Sequence, residues 1–136
     1  MKFNGAVLPE VSNNIPPVFY GEGCAISDAV TGDLLFSTGG LCIHEADGDT
    51  MIGSQAMYSG LRAIIPHPGY DEFFYALTYA PGSRYAYTLV DMTLNGGQGA
   101  VVQGIREVAF GPAMANGTMQ VFSSPNGTTH WLVGYP

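Results

Sequence analysis

The chain reads as an all-β protein built from antiparallel meanders, and three observations predict this. The stretch Gly60–Gly97 carries three dense runs of aromatic and β-branched residues, Arg62–Ile65, Phe73–Tyr79 and Tyr85–Thr93. Turn formers separate them: Pro66, Pro68 and Gly69, then Pro81 and Gly82, then Asn95, Gly96 and Gly97. Helical periodicity is missing beyond a few residues, and the best helical segment, Gln55–Leu61, is a poor one. Finally, 19 glycines and 9 prolines in 136 residues demand many turns and short elements.

Taken in order, Met1–Tyr20 is extended and proline-rich, with short strands expected at Phe3–Leu8 and Val18–Tyr20. Cys24–Asp28, Asp33–Thr38 and Leu41–Glu45 then form a meander, with turns near Val30–Thr31 and at Gly39–Gly40. Asp47–Gly48 is a further tight turn, and Thr50–Ile52 a short fourth strand. After the three dense runs, Gly104–Phe110 supplies their fourth strand. Met119–Ser123 and His130–Tyr135 close the chain as a hairpin around Pro125–Thr128. Three hairpins thus line up, AISDAVTGDLLFSTG, RAIIPHPGYDEFFYALTY and MQVFSSPNGTTHWLVGYP. Each has a short apolar strand, a polar glycine-containing turn and a longer strand with an aromatic centre. Such repetition points to a radial or stacked β architecture. The whole of 1–136 is read as one unit: a first block over about 21–53, a second over about 61–110 and a partial third over about 118–136.

Composition excludes several classes. Charged residues make up only 11%, against roughly 25% in an average soluble chain. The net charge is −7, and the four basic residues (Lys2, Arg62, Arg84, Arg106) are scattered. Nucleic-acid binding needs a clustered basic surface and is rejected. No apolar run approaches the ~18 residues of a membrane span, so membrane insertion is not expected. Met1–Gly5 lacks the apolar core of a signal peptide, so no signal peptide is read in this chain. With hairpin turns as above, Cys24 would face Ser37 and Ser37 would face Cys42. That leaves the cysteines two strands apart, roughly 9–10 Å, too far for a disulfide. Two free, buried thiols are expected.

Four phrases go beyond periodicity: GEGCAISDAVTGDLLFSTGG, AIIPHPGYDEFFYALTY, YTLVDMTLNGGQGAV and PNGTTHWLVGYP, in that order. They resemble the amino-terminal β-propeller region of gliding-motility-associated and type IX-secreted adhesin-like surface proteins of the Bacteroidetes. Val90–Gly97, VDMTLNGG, is the most specific part. The chain departs from that pattern at Gly39, where the family has Asp. It departs again at Cys42-Ile43-His44-Glu45, where the family has V-W-N, and in the reduced basic character of Met119–Ser124. The resemblance implies about two and a half blades of a propeller, partial or completed by oligomerisation. It also implies an extracellular or cell-surface location and a non-enzymatic role in adhesion or assembly. It carries over no catalytic residue.

The residues themselves offer no catalytic constellation. His44, His67 and His130 have no metal-ligand spacing, and His67 is read as a solvated turn residue. Ala46–Asp49 has alternating carboxylates that suit a calcium loop, but the further acidic ligand is missing and a hairpin turn is favoured. Asp28 and Asp33 are read as turn residues. Asp71 and Glu72 are adjacent and would point to opposite strand faces. There is no G-x-S-x-G elbow and no phosphate loop. No cofactor and no metal are therefore expected. Phe73, Phe74 and Trp131 are assigned to core packing. Tyr70, Tyr79, Tyr85 and Tyr87 are the candidate ligand-binding residues, because tyrosine hydroxyls favour a wet end beside an apolar ring. The partner is then protein, by self-association or in a larger surface assembly, or a glycan. The alternatives to the adhesion reading are a carbohydrate-binding module, or a filament or virion subunit whose strand edges pair between copies. Asn116–Thr118 and Asn126–Thr128 fit the N-glycosylation acceptor but are read as turns. Asp49-Thr50-Met51 resembles the Asp-Thr-apolar O-glycosylation site of the Bacteroidetes. The resemblance therefore predicts added hexose on Thr50 in the native protein; an unmodified intact mass of natively produced material would remove that assignment.

Overall fold

The computed structural model describes residues 23–57, 63–82, 84–113 and 119–134. It is all-β and antiparallel. The first sheet is a meander of β1 (Ala25–Ser27), β2 (Leu34–Gly39) and β3 (Cys42–Glu45). The second has five strands, β4 (Ala63–Pro66), β5 (Phe73–Ala80), β6 (Arg84–Asp91), β7 (Ala100–Val101) and β8 (Val108–Phe110). Strands β9 (Met119–Ser123) and β10 (His130–Gly134) form a separate hairpin. Among the described residues no helix is long and apolar enough to cross a membrane.

Strand alternation builds the core. On β5 and β6, Phe74 pairs with Val90, Ala76 with Thr88 and Thr78 with Ala86. All six are buried and share one face. Phe74 and Ala76 pack with Phe36 and Ile43 of the first sheet and with Met51, Met57 and Val101. Phe36 and Phe74 meet edge-on, with centroids 5.5 Å apart. The hydroxyls on this face are bonded rather than stranded. Ser54 Oγ accepts the Ile43 N–H at 3.1 Å and lies 2.8 Å from the Met51 carbonyl. Thr88 Oγ1 accepts the Glu107 N–H at 2.9 Å.

The loop after β6 explains the VDMTLNGG phrase. Asp91 Oδ1 accepts both the N–H and the hydroxyl of Thr93, at 2.8 and 2.7 Å. Asn95 takes a left-handed conformation (φ 51°) that asparagine tolerates better than most residues. Gly99 has φ 91°, and a Cβ there would stand 2.7 Å from Met92 Sδ. The phrase is thus a turn that lets the chain reverse closely over Met92 and Met51.

Several sequence expectations are corrected. The tight hairpin loop is Gly40–Leu41, not Gly39–Gly40, because Gly39 pairs with Cys42. Gly40 at φ 61° occupies the first loop position, where a left-handed residue is needed. That register places Ser37 opposite His44 rather than Cys42, and a separate shift in the first hairpin places it opposite Ala25 rather than Cys24. Both cysteines are free, as expected, but only half-buried. Thr50–Ile52 contributes isolated bridges, His44 with Thr50 and Ile52 with Ala100, instead of a strand. The expected strand Gly104–Phe110 is shortened to β8, which pairs with Tyr85–Tyr87, and a separate short strand, β7, pairs with Val90 and Asp91. Between them the chain bulges through a turn closed by Ile105 N–H to the Val102 carbonyl, 3.0 Å. The strands proposed at Phe3–Leu8 and Val18–Tyr20, and the sequon Asn116–Thr118, lie outside the described residues, as does most of Gln55–Leu61.

Because Phe36 is fully buried at the junction of the two sheets, Phe36→Ala should cost about 3–5 kcal/mol. Urea denaturation measures this, and a loss below about 1 kcal/mol would show that the two sheets do not share a core.

Candidate functional site

The other face of the five-stranded sheet is where the aromatic side chains collect. Tyr75 pairs with Leu89, Leu77 with Tyr87 and Tyr79 with Tyr85 across β5 and β6. Strand β4 adds Ile65 beside Tyr75, and β8 adds Phe110 beside Tyr85. Ring contacts run along this face: Tyr75–Tyr87 at 5.6 Å, Tyr87–Phe110 at 5.9 Å and Tyr79–Tyr85 at 5.8 Å between centroids. Such edge-on and tilted contacts fix ring orientation.

The hairpin β9–β10 lies over part of this face. Leu132 pairs with Val121 and Gly134 with Met119, so these four share the hairpin's inner side. Gly134 seats directly on Tyr85, and any Cβ added there would collide with the phenol. Between hairpin and sheet runs an open groove of about 410 Å³, lined by Ile65, Tyr75, Leu77, Tyr87, Phe110 and Leu132. Its wall is almost wholly apolar.

The four tyrosines separate. Tyr87 lines the groove. Tyr79 is half-buried beside it. Tyr85 is only 4% exposed, which corrects its assignment as an open contact, because the hairpin covers it. Tyr70 is 61% exposed but sits in the β4–β5 turn, its ring 5.1 Å from that of His67. His67 in turn lies 5.1 Å from Tyr75, so it packs on the aromatic face instead of being simply solvated.

Trp131 departs furthest from expectation. It is 54% exposed, not in the core, and pairs across the hairpin with Phe122, itself 52% exposed. Val133 shares that outer side at 46% exposure. The alternation Trp131–Leu132–Val133 turns two large side chains outward and one toward the groove. Nothing in the sequence marks Leu132 and Phe110 as groove residues, since it does not show that the hairpin folds back over β8. Phe73 is half-buried, and Phe74 is in the core as expected.

Polar constellations elsewhere are structural. Asp28 Oδ1 accepts the N–H groups of Val30 and Thr31, at 2.8 and 2.7 Å. The Thr31 and Val30 hydrogen bonds hold its carboxyl below its ordinary value. Cys24 Sγ lies 3.1 Å from Thr38 Oγ1, and burial pushes its thiol up. Cys42 Sγ lies 3.4 Å from His44 Nε2. Among the described residues His44 Nδ1 has no hydrogen-bond partner, so none of them orients that imidazole as a thiol–imidazole catalyst needs. Thr50 is exposed next to the Asp47–Gly48 turn. That turn is tied to the distant Asn95 loop: Asn95 Nδ2 donates to Glu45 Oε1 at 3.0 Å, and Gln98 Nε2 donates to Asp47 Oδ2 at 3.1 Å. Among the described residues no group of three or more His, Cys, Asp or Glu converges as a metal site.

A comparison with family models, curated proteins and solved structures found no match to this chain.

Two outcomes follow from this geometry. Gly134→Ala should lift the hairpin off Tyr85, and hydrogen exchange would report faster exchange in β9–β10; unchanged protection would mean that the hairpin is not seated there. Glu45 has its carboxyl pushed up, first by burial and then by Asp47, against the Asn95 hydrogen bond. A raised folded value adds stability below the ordinary 4.5 that is lost as pH climbs through the folded value. Glu45→Gln keeps an acceptor for Asn95 and should remove that loss, leaving the variant at least as stable as the parent at pH 7. Melting curves across pH 4–8 test this, and a less stable variant at pH 7 would refute it.

Proposed function

We propose that this chain is a non-enzymatic β-repeat module that assembles with other protein surfaces, with the hairpin β9–β10 making the contact. Its setting is the adhesion or assembly apparatus of a secreted or cell-surface protein, where the blade-like blocks of the sequence would extend into a larger propeller-like array. One observation carries the reading: Phe122, Trp131 and Val133 stand together, each about half exposed, on one side of a two-stranded hairpin. An isolated hairpin is marginal in water, and three or more strands or a covering layer are needed for independent stability. Covering a large apolar side chain fully is worth about 1.5–3 kcal/mol, so a partner that closes this side is strongly favoured. Central Trp in a desolvated patch is also the residue type that dominates binding energy at interfaces.

A carbohydrate-binding role is less well supported. Sugar recognition requires several convergent polar groups beside an aromatic platform, and the groove wall is almost wholly apolar. Nucleic acid remains excluded by the net charge of −7.

Trp131 is the single tryptophan of the chain, so its fluorescence reports on this surface alone. Assembly should blue-shift its emission and protect it from acrylamide as concentration rises, with sedimentation heavier than 14.4 kDa. Trp131→Ser should abolish the heavier species. A Trp131 that stays fully quenchable at every concentration, in a protein that stays at monomer mass, would overturn the reading.

A further inference from the structure

We infer that the covering partner is a second copy of this chain, joined head to tail: the Trp131–Phe122 side of one hairpin enters the aromatic groove of the next copy. This rests on the assembly reading above and adds the identity and symmetry of the partner.

The two surfaces belong to opposite sides of the same hairpin. Leu132 lines the groove, whereas its neighbours Trp131 and Val133 face outward. Strand alternation therefore prevents a copy from filling its own groove with its own patch. Among the described residues each copy carries this apolar projection and this apolar recess, and each is open to a second copy.

Charge selects the same two surfaces. The chain carries a net −7, yet residues 119–134 contain no Asp, Glu, Lys or Arg. The six groove residues are uncharged as well. Copies that approach anywhere near the Glu45–Asp49 turn, or near Asp71 and Glu72, bring like charges together. Hairpin against groove is an approach that brings two uncharged, largely apolar surfaces together without that repulsion. A strongly charged partner gains nothing from either surface.

Size and chemistry agree. A recess of about 410 Å³ has room for a large aromatic side chain with a neighbour. Its walls present Tyr75, Tyr87 and Phe110 rings, already set edge-on or tilted to one another, to which an indole adds in the same way. Water in such a recess finds few hydrogen-bonding groups, so its displacement is favourable.

A patch that fits a recess elsewhere on the same molecule makes a heterologous contact. Repetition of that contact yields a closed ring or an open filament, not a dimer that stops at two. The consequence is directly testable by complementation. Trp131→Ser removes the projection and keeps the recess. Ile65→Trp fills the recess and keeps the projection; Ile65→Lys, which instead places a charge in it, serves as a second recess variant should the first fail to fold by circular dichroism. Native mass spectrometry and sedimentation should show a series of multiples of the monomer for the parent chain. Each variant alone should be monomeric. An equimolar mixture of Trp131→Ser with either recess variant should give a one-to-one pair and nothing larger, because one projection and one recess remain. A mixture that stays monomeric, while the parent associates through Trp131, would overturn the head-to-tail contact and leave a patch-on-patch assembly. A recess variant that associates like the parent would also overturn it. A parent chain that stays monomeric with a quenchable Trp131 would overturn the assembly reading itself.

Discussion

Phe74 against Phe36 is the contact on which the rest depends. It joins the three-stranded meander to the five-stranded sheet, at 5.5 Å between ring centroids and with both rings buried. Once that face of β5 and β6 is committed inward, alternation leaves no choice about the other. Tyr75, Leu77, Tyr79, Tyr85 and Tyr87 must emerge on the far side of the sheet. A register slip of one residue would exchange the two sets and bury the tyrosines. The hydroxyls of Thr78 and Thr88 on the inner face have partners that hold the register, Thr88 through the Glu107 N–H and Thr78 through the Ala86 carbonyl at 3.5 Å.

The far side is therefore a consequence of the core, and so is the need to cover it. The hairpin β9–β10 meets part of that need by setting Gly134 on Tyr85 and Leu132 beside Phe110 and Tyr87. A two-stranded cover cannot satisfy both of its own sides. Every residue it turns toward the sheet leaves a neighbour turned away, and here the neighbours are Trp131, Val133 and Phe122. The exposed patch and the incomplete groove have a single origin: a sheet with two apolar faces, one of which is covered by a layer that has two apolar faces itself.

Much of this was legible in the residues. The dense runs at Phe73–Tyr79 and Tyr85–Thr93 lie within one strand-turn-strand unit, displaced by one or two positions at their ends. The turn roles of Asp28 and of Asp47–Gly48 follow from local chemistry and are found as expected. What failed was set by contacts between distant segments. Gly39-Gly40 allows two hairpin registers, and pairing of Gly39 with Cys42 chooses between them. Tyr85 and Tyr87 look alike in sequence, and only the hairpin lying some fifty positions further on separates the buried one from the lining one. Trp131 reads as a core residue, but a strand in a hairpin with two apolar sides has no preferred inner one until it docks.

Low charge makes this arrangement consequential. With only 11% charged residues, the chain has few side chains available to interrupt an apolar surface, and its carboxylates sit largely at turns such as Asp28–Asp33 and Asp47–Asp49. Exposed strand edges and apolar sides are ordinarily guarded by lysine or by inward-pointing charge, because they template pairing with other chains. The hairpin carries neither, and its turn is neutral, closed by Asn126 Oδ1 accepting from the Thr128 hydroxyl at 2.9 Å. Carboxylates at the turns of the first sheet and a neutral hairpin at the end of the chain distribute repulsion unevenly. In the assembly proposed above, contacts between copies would be discouraged at the charged turns and unopposed at the hairpin. Such a distribution would favour association through the hairpin that carries Trp131, the single tryptophan of the chain.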